Sequence, residues 1–306
     1  MKAVPSARRR AVGPVAAGVG GSVLAPRLAR TTVDAPLRPI PDAPALHLGE
    51  RGAGTVIVAD LHLGLGGTAA RPGGPPEGSA ERMADRLLGL LRDRGACTLL
   101  VAGDVKHPIV GAPPALRPVL FDFFAELLRP GYAVEVVLGN HDVGLVRDLP
   151  REVVVHPASG VVRDGVGIFH GHRWPSNAVL RAARLVTGHM HPGYRFAPTR
   201  DDPAGKRPCW VRVELPPPKR PTRRRRRHAP LAAREIVVLP AFNPLSGVEA
   251  LNRERPARGR SFLFGRFLSR GTPRAYLLDG TDLGPIPTPG VRRPGKRGAA
   301  PAPSGR

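Results

Sequence analysis

The chain reads as an α/β sandwich, two mixed β-sheets with helices on their outer faces. Three observations predict it. Strand and helix signals alternate over residues 55–140, strand signals crowd together over 152–242, and each apolar run of the first kind ends in a side chain able to bind a cation. Parallel βα units followed by closely spaced strands are the pattern of layered α/β proteins.

Each element has a local reason. TVIVAD (55–60) is a continuous apolar run closed by an acid, as expected of a strand buried on both faces. Met83, Leu87, Leu90 and Leu91 follow with the spacing of one helix face. CTLLVAGD (97–104) is the second strand. Pro118 opens a second helix at an early position where a missing N–H is tolerated, with Leu120, Phe124, Leu127 and Leu128 toward the core, and Gly131 ends it. AVEVVLGN (133–140) is the third strand. EVVVH (152–156), VGIFHG (166–171) and RLVTGH (184–189) come next, with Ser176 as the N-cap of a short intervening helix. CWVRVEL (209–215) and REIVVLPAF (234–242) are strands on either side of an arginine-rich stretch, and AYLLDGTDLG (275–284) is a hairpin turned at Asp279-Gly280. No internal repeat is present.

Composition sets the boundaries. The 306 residues include 37 Gly and 37 Pro, and 21 of the prolines fall in 1–45, 66–78, 216–233 and 285–306. Segments of this kind cannot bury enough apolar surface to offset ordering entropy and are expected to be disordered. The folded domain is therefore expected over 46–284, with a basic insertion at 216–233 between a basic N-terminal extension and a basic tail. That leaves enough chain for one substantial core.

Charge is unevenly placed. The net charge is +23, but residues 50–200 hold 17 basic against 14 acidic residues, whereas the flanks hold 30 against 10. Basic arms around a near-neutral core fit a polyanion such as DNA or RNA. The bland alternative is coding bias, since only 5 of the 47 basic residues are Lys and Ala, Gly and Pro are abundant. The two cysteines, Cys97 and Cys209, lie in apolar runs and predict a reduced, cytoplasmic chain. The stretch 11–26 follows Arg8–Arg10 as a signal peptide would, but with one Leu and no Phe it lacks the apolar core of such a segment, and it is too short and too rich in Gly and Pro to span a bilayer.

Five short motifs carry the chemistry: VADLH (58–62), GDVKH (103–107), GNHD (139–142), HGH (170–172) and GHMH (188–191). Each places a ligand side chain directly after a β-branched run. Asp60, Asp104, Asn140, His170 and His189 thus stand at strand ends, where open α/β sheets collect their ligands. A spacing of two, as in Asp60-x-His62 and His189-x-His191, predicts both side chains on one side of the strand exit. The seven donors form the ligand set of a two-metal hydrolytic centre. Mixed carboxylate, amide and imidazole donors suit two ions of Mn²⁺, Fe²⁺ or Zn²⁺ better than Ca²⁺, with Mn²⁺ preferred. Such a pair of cations clamps a phosphate and activates water for in-line attack.

In these motifs the sequence resembles the calcineurin-like metallophosphoesterases, whose DxH, GDxxD/H, GNHD/E, H and GHxH elements are all present in order. The resemblance implies the αββα sandwich of that family. It also implies that Asp60, His62 and His191 hold one metal, that Asn140, His170 and His189 hold the other, and that Asp104 bridges them. By the same resemblance His141 is a catalytic residue that is not a ligand, stabilising the transition state and protonating the leaving oxygen, and Asp142 orients it. VADLHLG, GDVKH, HGHRWPS, GHMHP and VLPAFNPLSG narrow the likeness, over roughly residues 45–285, to the archaeal phosphoesterase group related to the ligase-associated DNA damage response endonucleases of the PdeM type. The Gly/Pro-rich loop 64–80 and the basic insertion depart from that pattern.

Other residues carry weaker signals. His172 and His107 are read as structural or as lining the mouth of the site, Trp174 and Phe242 as packing rather than base-stacking residues, and Asn243 as a turn former. The expected activity is metal-dependent hydrolysis of phosphodiesters, with nucleic acid as the substrate. A phosphatase or nucleotidase acting on small phosphoesters uses the same ligands and stays open. A non-catalytic scaffold has no need of His141 beside Asn140.

Overall fold

The computed structural model describes residues 35–66, 79–198, 205–217, 231–252 and 270–286. The stretches expected to be disordered, namely most of 1–45, of 66–78, of 216–233 and of 285–306, lie largely outside the described residues.

The first sheet contains β1 (Leu37–Pro39), β2 (Leu46–Leu48), β3 (Thr55–Val58), β4 (Thr98–Val101), β5 (Ala133–Val137) and β6 (Val154–His156), in that spatial order. The β1–β2 and β2–β3 pairs are antiparallel, and β3 through β6 are parallel. The parallel part is forced by the crossovers. Helix α1 (Ala80–Arg94) links β3 to β4 and α2 (Leu116–Leu128) links β4 to β5.

Both helices follow from their sequences. The Ser79 hydroxyl accepts the Arg82 N–H at 3.3 Å, and Gly95 closes α1 in the left-handed conformation. Met83, Leu87 and Leu91 of α1 are buried, as are Leu120, Phe124 and Leu127 of α2. They form one cluster with the outer-facing Val56, Val58, Leu99, Val101, Val134 and Val136 of the sheet.

The second sheet is built around β7 (Val161–Arg163), β8 (Val166–Phe169), β9 (Arg184–Thr187), β10 (Pro192–Arg195), β11 (Lys206–Glu214), β12 (Glu235–Val238) and β13 (Glu249–Ala250), with the β14 (Thr272–Leu277) and β15 (Asp282–Pro285) hairpin laid against β11. It is mixed: β8, β9 and β12 run parallel, whereas β7, β11, β14 and β15 run against their neighbours. The short α3 (Asn177–Arg181), capped by Ser176 as expected, packs Val179 and Leu180 on its outer face. A third cluster, including Leu46, Ile57, Leu100, Val137, Ile168, Val186, Trp210 and Val237, fills the layer between the sheets. The two sheets, α1 and α2 on one side and α3 on the other give the expected αββα layering.

The fold begins earlier than the sequence indicated. Strand β1 lies inside the stretch 1–45 assigned to the N-terminal extension, and β1 pairs residue by residue with β2 from Leu37↔Leu48 to Pro39↔Leu46. Two prolines hid it. Pro39 is tolerated because β1 is an edge strand, where the missing N–H would have faced away from the sheet. Strands β7, β10 and β13 were also unforeseen, being two to four residues long with no pattern of their own. Among the described residues no helix is long and apolar enough to cross a membrane.

Candidate metal centre

The strands β3, β4, β5, β8 and β9 all end at one edge of the sandwich, and the loops leaving them carry the predicted ligands. Hydrogen bonds between the loops extend the sheets past their last regular residue. Asp60 N donates to the Gly103 carbonyl at 3.0 Å and His62 N to the Asp104 carbonyl at 2.9 Å. The sheets are also tied together here. Phe242 N donates to the Ala59 carbonyl at 2.9 Å, and His189 N donates to the Asp60 carboxylate at 3.0 Å.

The backbone at the site is strained. Among the described residues seven non-glycine residues have positive φ, and five of them are predicted ligands: Asp60, His62, Asp104, His189 and His191, with φ between 41° and 72°. Left-handed residues cost about 1–3 kcal/mol each and persist where surrounding structure over-determines them. This conformation, rather than strand pleating, puts the pairs 60/62 and 189/191 on one side, because β3 ends at Val58 and β9 at Thr187. The preceding glycines allow the close approach. A Cβ on Gly139 would lie 2.2 Å from Asp104 Oδ1, and one on Gly103 would lie 2.4 Å from His170 Nδ1.

Among the described residues six of the predicted donors form two groups, each with its ligand atoms within 4.8 Å of one another, Asp60, His62 and His191 in one and Asp104, His170 and His189 in the other, and a third such group joins His62 to His107 and His141. In the first, the Nε2 atoms of His62 and His191 are 3.2 Å apart, and His191 Nε2 is 3.4 Å from Asp60 Oδ1. In the second, His170 Nε2 lies 3.2 Å from Asp104 Oδ2, from Asn140 Oδ1 and from His189 Nδ1. Donor atoms about 3.0–3.4 Å apart are what metal–ligand bonds of roughly 2.1 Å impose. Asp104 Oδ2 also stands 3.8 Å from His62 Nε2, so this carboxylate faces both groups.

The tautomers suit cations. His170 Nδ1 donates to the Ala102 carbonyl at 2.9 Å and His191 Nδ1 is directed at the Ser246 carbonyl at 3.4 Å, which leaves each Nε2 lone pair toward the cluster. The donor set, its spacing and its tautomers therefore fit two divalent cations.

Protonation follows from burial and neighbouring charge. Burial pushes His62 and His189 down to about 4, against the pull of Asp60 and Asp104, so both are neutral, the form that binds a metal. Burial pushes Asp104 up, but the hydrogen bond and charge of His170 outweigh it and hold the carboxyl well below the usual range. His170 shows the converse: burial lowers it, yet Asp104 and Asp60 bring it up to about 9 in the absence of a cation. A cation held by the second group would replace that proton, so loading is expected to release it.

His141 sits at the rim. Its backbone N–H donates to Asp104 Oδ1 at 2.9 Å, its Nε2 is 3.9 Å from Asp104 Oδ2, and its Nδ1 bonds the His107 carbonyl. Because a carbonyl only accepts, Nδ1 carries the hydrogen and Nε2 is the end that faces the cluster. The ring stacks on His107 with centroids 5.8 Å apart.

The hydrogen bonds of Asp142 go to backbone groups rather than to that ring. Its carboxylate accepts the N–H groups of Gly139 at 2.8 Å, Val105 at 2.9 Å and Lys106 at 3.3 Å. It clamps the GNHD loop to the GDVKH loop, and the His107 carbonyl orients His141 instead. Buried carboxylates take the nearest unpaired backbone donors, and two loops supply three.

Lys106 was missed. It is fully buried, and its ammonium donates to the carbonyls of Pro108, Ile109 and His141, pinning the same two loops. The only signal was compositional: Lys106 is the sole lysine of residues 50–200 in a chain dominated by arginine.

His172 lies beside the second group, 5.4 Å from the His170 ring by centroids, outside both ligand groups. Asn243 forms the expected turn, with Oδ1 accepting Leu245 N at 2.9 Å, and its amide also holds the Leu61 carbonyl at 2.8 Å. Phe242 is buried, with the Arg86 guanidinium 5.0 Å over its ring, which is a packing role.

The sequence matches no family model and no curated protein. Solved structures similar to the chain include a nuclease and a phosphoesterase. The nuclease MPE of Pseudomonas putida has 20% identity, covering 81% of this chain and 100% of its own, with a TM-score of 0.46. The E. coli phosphoesterase YfcE has 15% identity, covering 76% of this chain and 98% of its own, with a TM-score of 0.31. Both likenesses are slight, and the reading of the site rests on this chain's own side chains.

Proposed function

We propose that the chain is a binuclear metal-dependent phosphoesterase that hydrolyses phosphodiester bonds of nucleic acid. The observation that carries the chemistry is the convergence of seven donors from five strand exits into two adjacent ligand groups joined by Asp104. Asp60, His62 and His191 would hold one cation, Asn140, His170 and His189 the other, and Asp104 both. Two bound cations supply positive charge to the phosphoryl oxygens and acidify water. The remaining work falls to His141, whose Nε2 end is free to hold a proton for the leaving oxygen while the His107 carbonyl fixes the ring.

Support for nucleic acid is electrostatic. The net charge of +23 lies mostly in the flanks and in residues 219–228, where seven of ten residues are Lys or Arg. The free thiols of Cys97 and Cys209 suit a reducing compartment such as the cytoplasm. The resemblance to ligase-associated endonucleases suggests DNA repair as the setting.

One observation favours a second reading, a phosphatase or nucleotidase for small phosphoesters. The arginine-rich segment leaves after β11 and returns at Glu235, the start of β12, and β12 runs parallel to β9, whose end carries the site. Its return point is therefore at the edge away from the metal groups.

A panel of bis-p-nitrophenyl phosphate, p-nitrophenyl phosphate, 2′,3′-cyclic nucleotides and single- and double-stranded DNA with Mn²⁺, Fe²⁺ or Zn²⁺ tests the proposal. Diesterase and DNA cleavage above monoesterase activity, greatest with Mn²⁺, is the expected result. Monoesterase activity alone would establish the second reading, and inactivity with every metal would overturn both.

A further inference from the structure

Exposed aliphatic side chains gather beside His141. Among the described residues nine large hydrophobic side chains are exposed, and four of them, Ile109, Val110, Val143 and Val146, lie in the two loops that follow β4 and β5. Apolar side chains scattered singly over a surface are ordinary, whereas a contiguous group marks a binding surface. These are contiguous. Val110 and Val143 form an isolated parallel bridge, and Gly111 N donates to the Val143 carbonyl at 3.2 Å. The loops are also held firmly, because the Lys106 ammonium donates to the carbonyls of Pro108, Ile109 and His141. Val110 is 83% exposed and Val143 56%, so packing of the core does not account for either.

The patch has chemistry on two sides. On one, the exposed His107 ring stacks on that of His141, whose Nε2 faces Asp104. Val143 follows His141 by two residues, at most about 7 Å of chain. On the other side stands Arg147. Its Nη2 lies over Gly144, 3.2 Å from where an added Cβ would be, and among the described residues no carboxylate pairs with it. The neighbouring Asp148 is taken by Arg117, with Oδ1 3.7 Å from Nε, and Asp142 is buried against backbone N–H groups. Of these groups, the guanidinium of Arg147 is the one left to meet an anion.

An apolar platform between the His141 ring and an unpaired guanidinium matches one nucleotide step. A base covers the aliphatic side chains, and the phosphate beyond it meets the arginine. We propose that Ile109, Val110, Val143 and Val146 form the subsite for the nucleoside that departs from the scissile phosphate, with Arg147 taking that nucleoside's outer phosphate. The assignment rests on the phosphodiesterase reading above and on the place of His141 at the leaving oxygen. A paired and stacked base shows only its edges, so the substrate this platform takes is single-stranded.

The test uses the full-length protein loaded with Mn²⁺ and three substrates: thymidylyl-thymidine and its analogues lacking the 5′ or the 3′ base. Product analysis shows which residue departs. Removing the base from the departing residue should lower kcat/KM by about tenfold, mainly through KM, and removing the other base should cost less. In the Val110→Ser, Val143→Ser double variant that difference should largely disappear. A terminal phosphate added to the departing residue should lower KM in wild type and not in Arg147→Gln. All three substituted side chains are exposed, so the variants should fold. Equal losses from the two abasic analogues, or a penalty that survives in the double variant, would overturn the proposal and leave the phosphodiesterase reading standing. A surviving penalty together with loss of a dimer in sedimentation would assign the patch to a second copy of the chain. Hydrolysis of bis-p-nitrophenyl phosphate without cleavage of any of the three would overturn the nucleic-acid reading and the subsite together.

Discussion

Where β3, β4, β5, β8 and β9 end, charged and imidazole side chains face one another on a strained backbone. Where β9 and β12 begin, the same layer carries a partly open, largely apolar cavity and the return of the basic insertion. Both edges border the same inter-sheet cluster, yet polar groups gather at one and apolar surface is left open at the other. The difference follows from what each edge offers. Strand ends in a parallel sheet feed loops whose residues converge, so five distant segments meet there. The starting edge is spanned by a hairpin and by short edge strands that leave the layer incompletely filled. Strain is tolerated at the first edge because Asp142 and Lys106 between them hold the loops with hydrogen bonds to six backbone groups.

The largest effect that would break this comparison concerns His141. General acid assistance contributes roughly 10²–10⁴-fold, so His141→Ala should lose turnover by about that factor while keeping its metals. The loss should shrink for nitrophenyl esters, whose leaving group needs little protonation. Loss of metal from this variant would make His141 a ligand and redraw the first edge.

A smaller effect is expected along the side of the sandwich, at Glu135. This buried carboxylate bonds His156 Nε2 at 2.8 Å and Arg163 Nη2, joining β5 and β6 of one sheet to β7 of the other. Burial raises its pKa, but the His156 hydrogen bond and the Arg163 charge outweigh that and lower it. A depressed carboxylate contributes stability above its unfolded value near 4.3, and that contribution fades as pH falls through the folded value. Glu135→Gln should cost about 1–3 kcal/mol at pH 7 by urea unfolding, with the gap from wild type closing below about pH 4. A gap that persists unchanged in acid would remove the ion pair from the account.

The smallest effect concerns the basic insertion. Deleting 218–230 should leave turnover of a small diester unchanged, because none of the seven proposed metal ligands is in that stretch. If the insertion binds nucleic acid, each phosphate left without its arginine lowers the log–log salt slope of DNA binding by roughly 0.7–0.9. An unchanged slope would favour the small-phosphoester reading and leave the starting edge to the cavity alone.

Asp60, Asp104 and Asn140 were legible because each closes an apolar strand run, and the periodic apolar faces of α1 and α2 were legible for the same reason. What stayed hidden depends on tertiary contacts. Short strands such as β1, β7 and β13 exist only by pairing with neighbours. The carboxylate of Asp142 was assigned to the nearest imidazole in sequence, yet three backbone N–H groups claim it in space. The left-handed conformation of five proposed ligands has no one-dimensional sign beyond the adjoining glycines, and the cavity is a failure of packing that no local pattern encodes.

The central claim is that two cations share Asp104. Elemental analysis after Mn²⁺ loading and desalting tests it most directly, comparing wild type with Asp104→Asn, which removes a charge but keeps the shape. Two equivalents in wild type and loss of both in the variant are the predicted result. Two equivalents in both proteins, or a single equivalent in wild type, would contradict it.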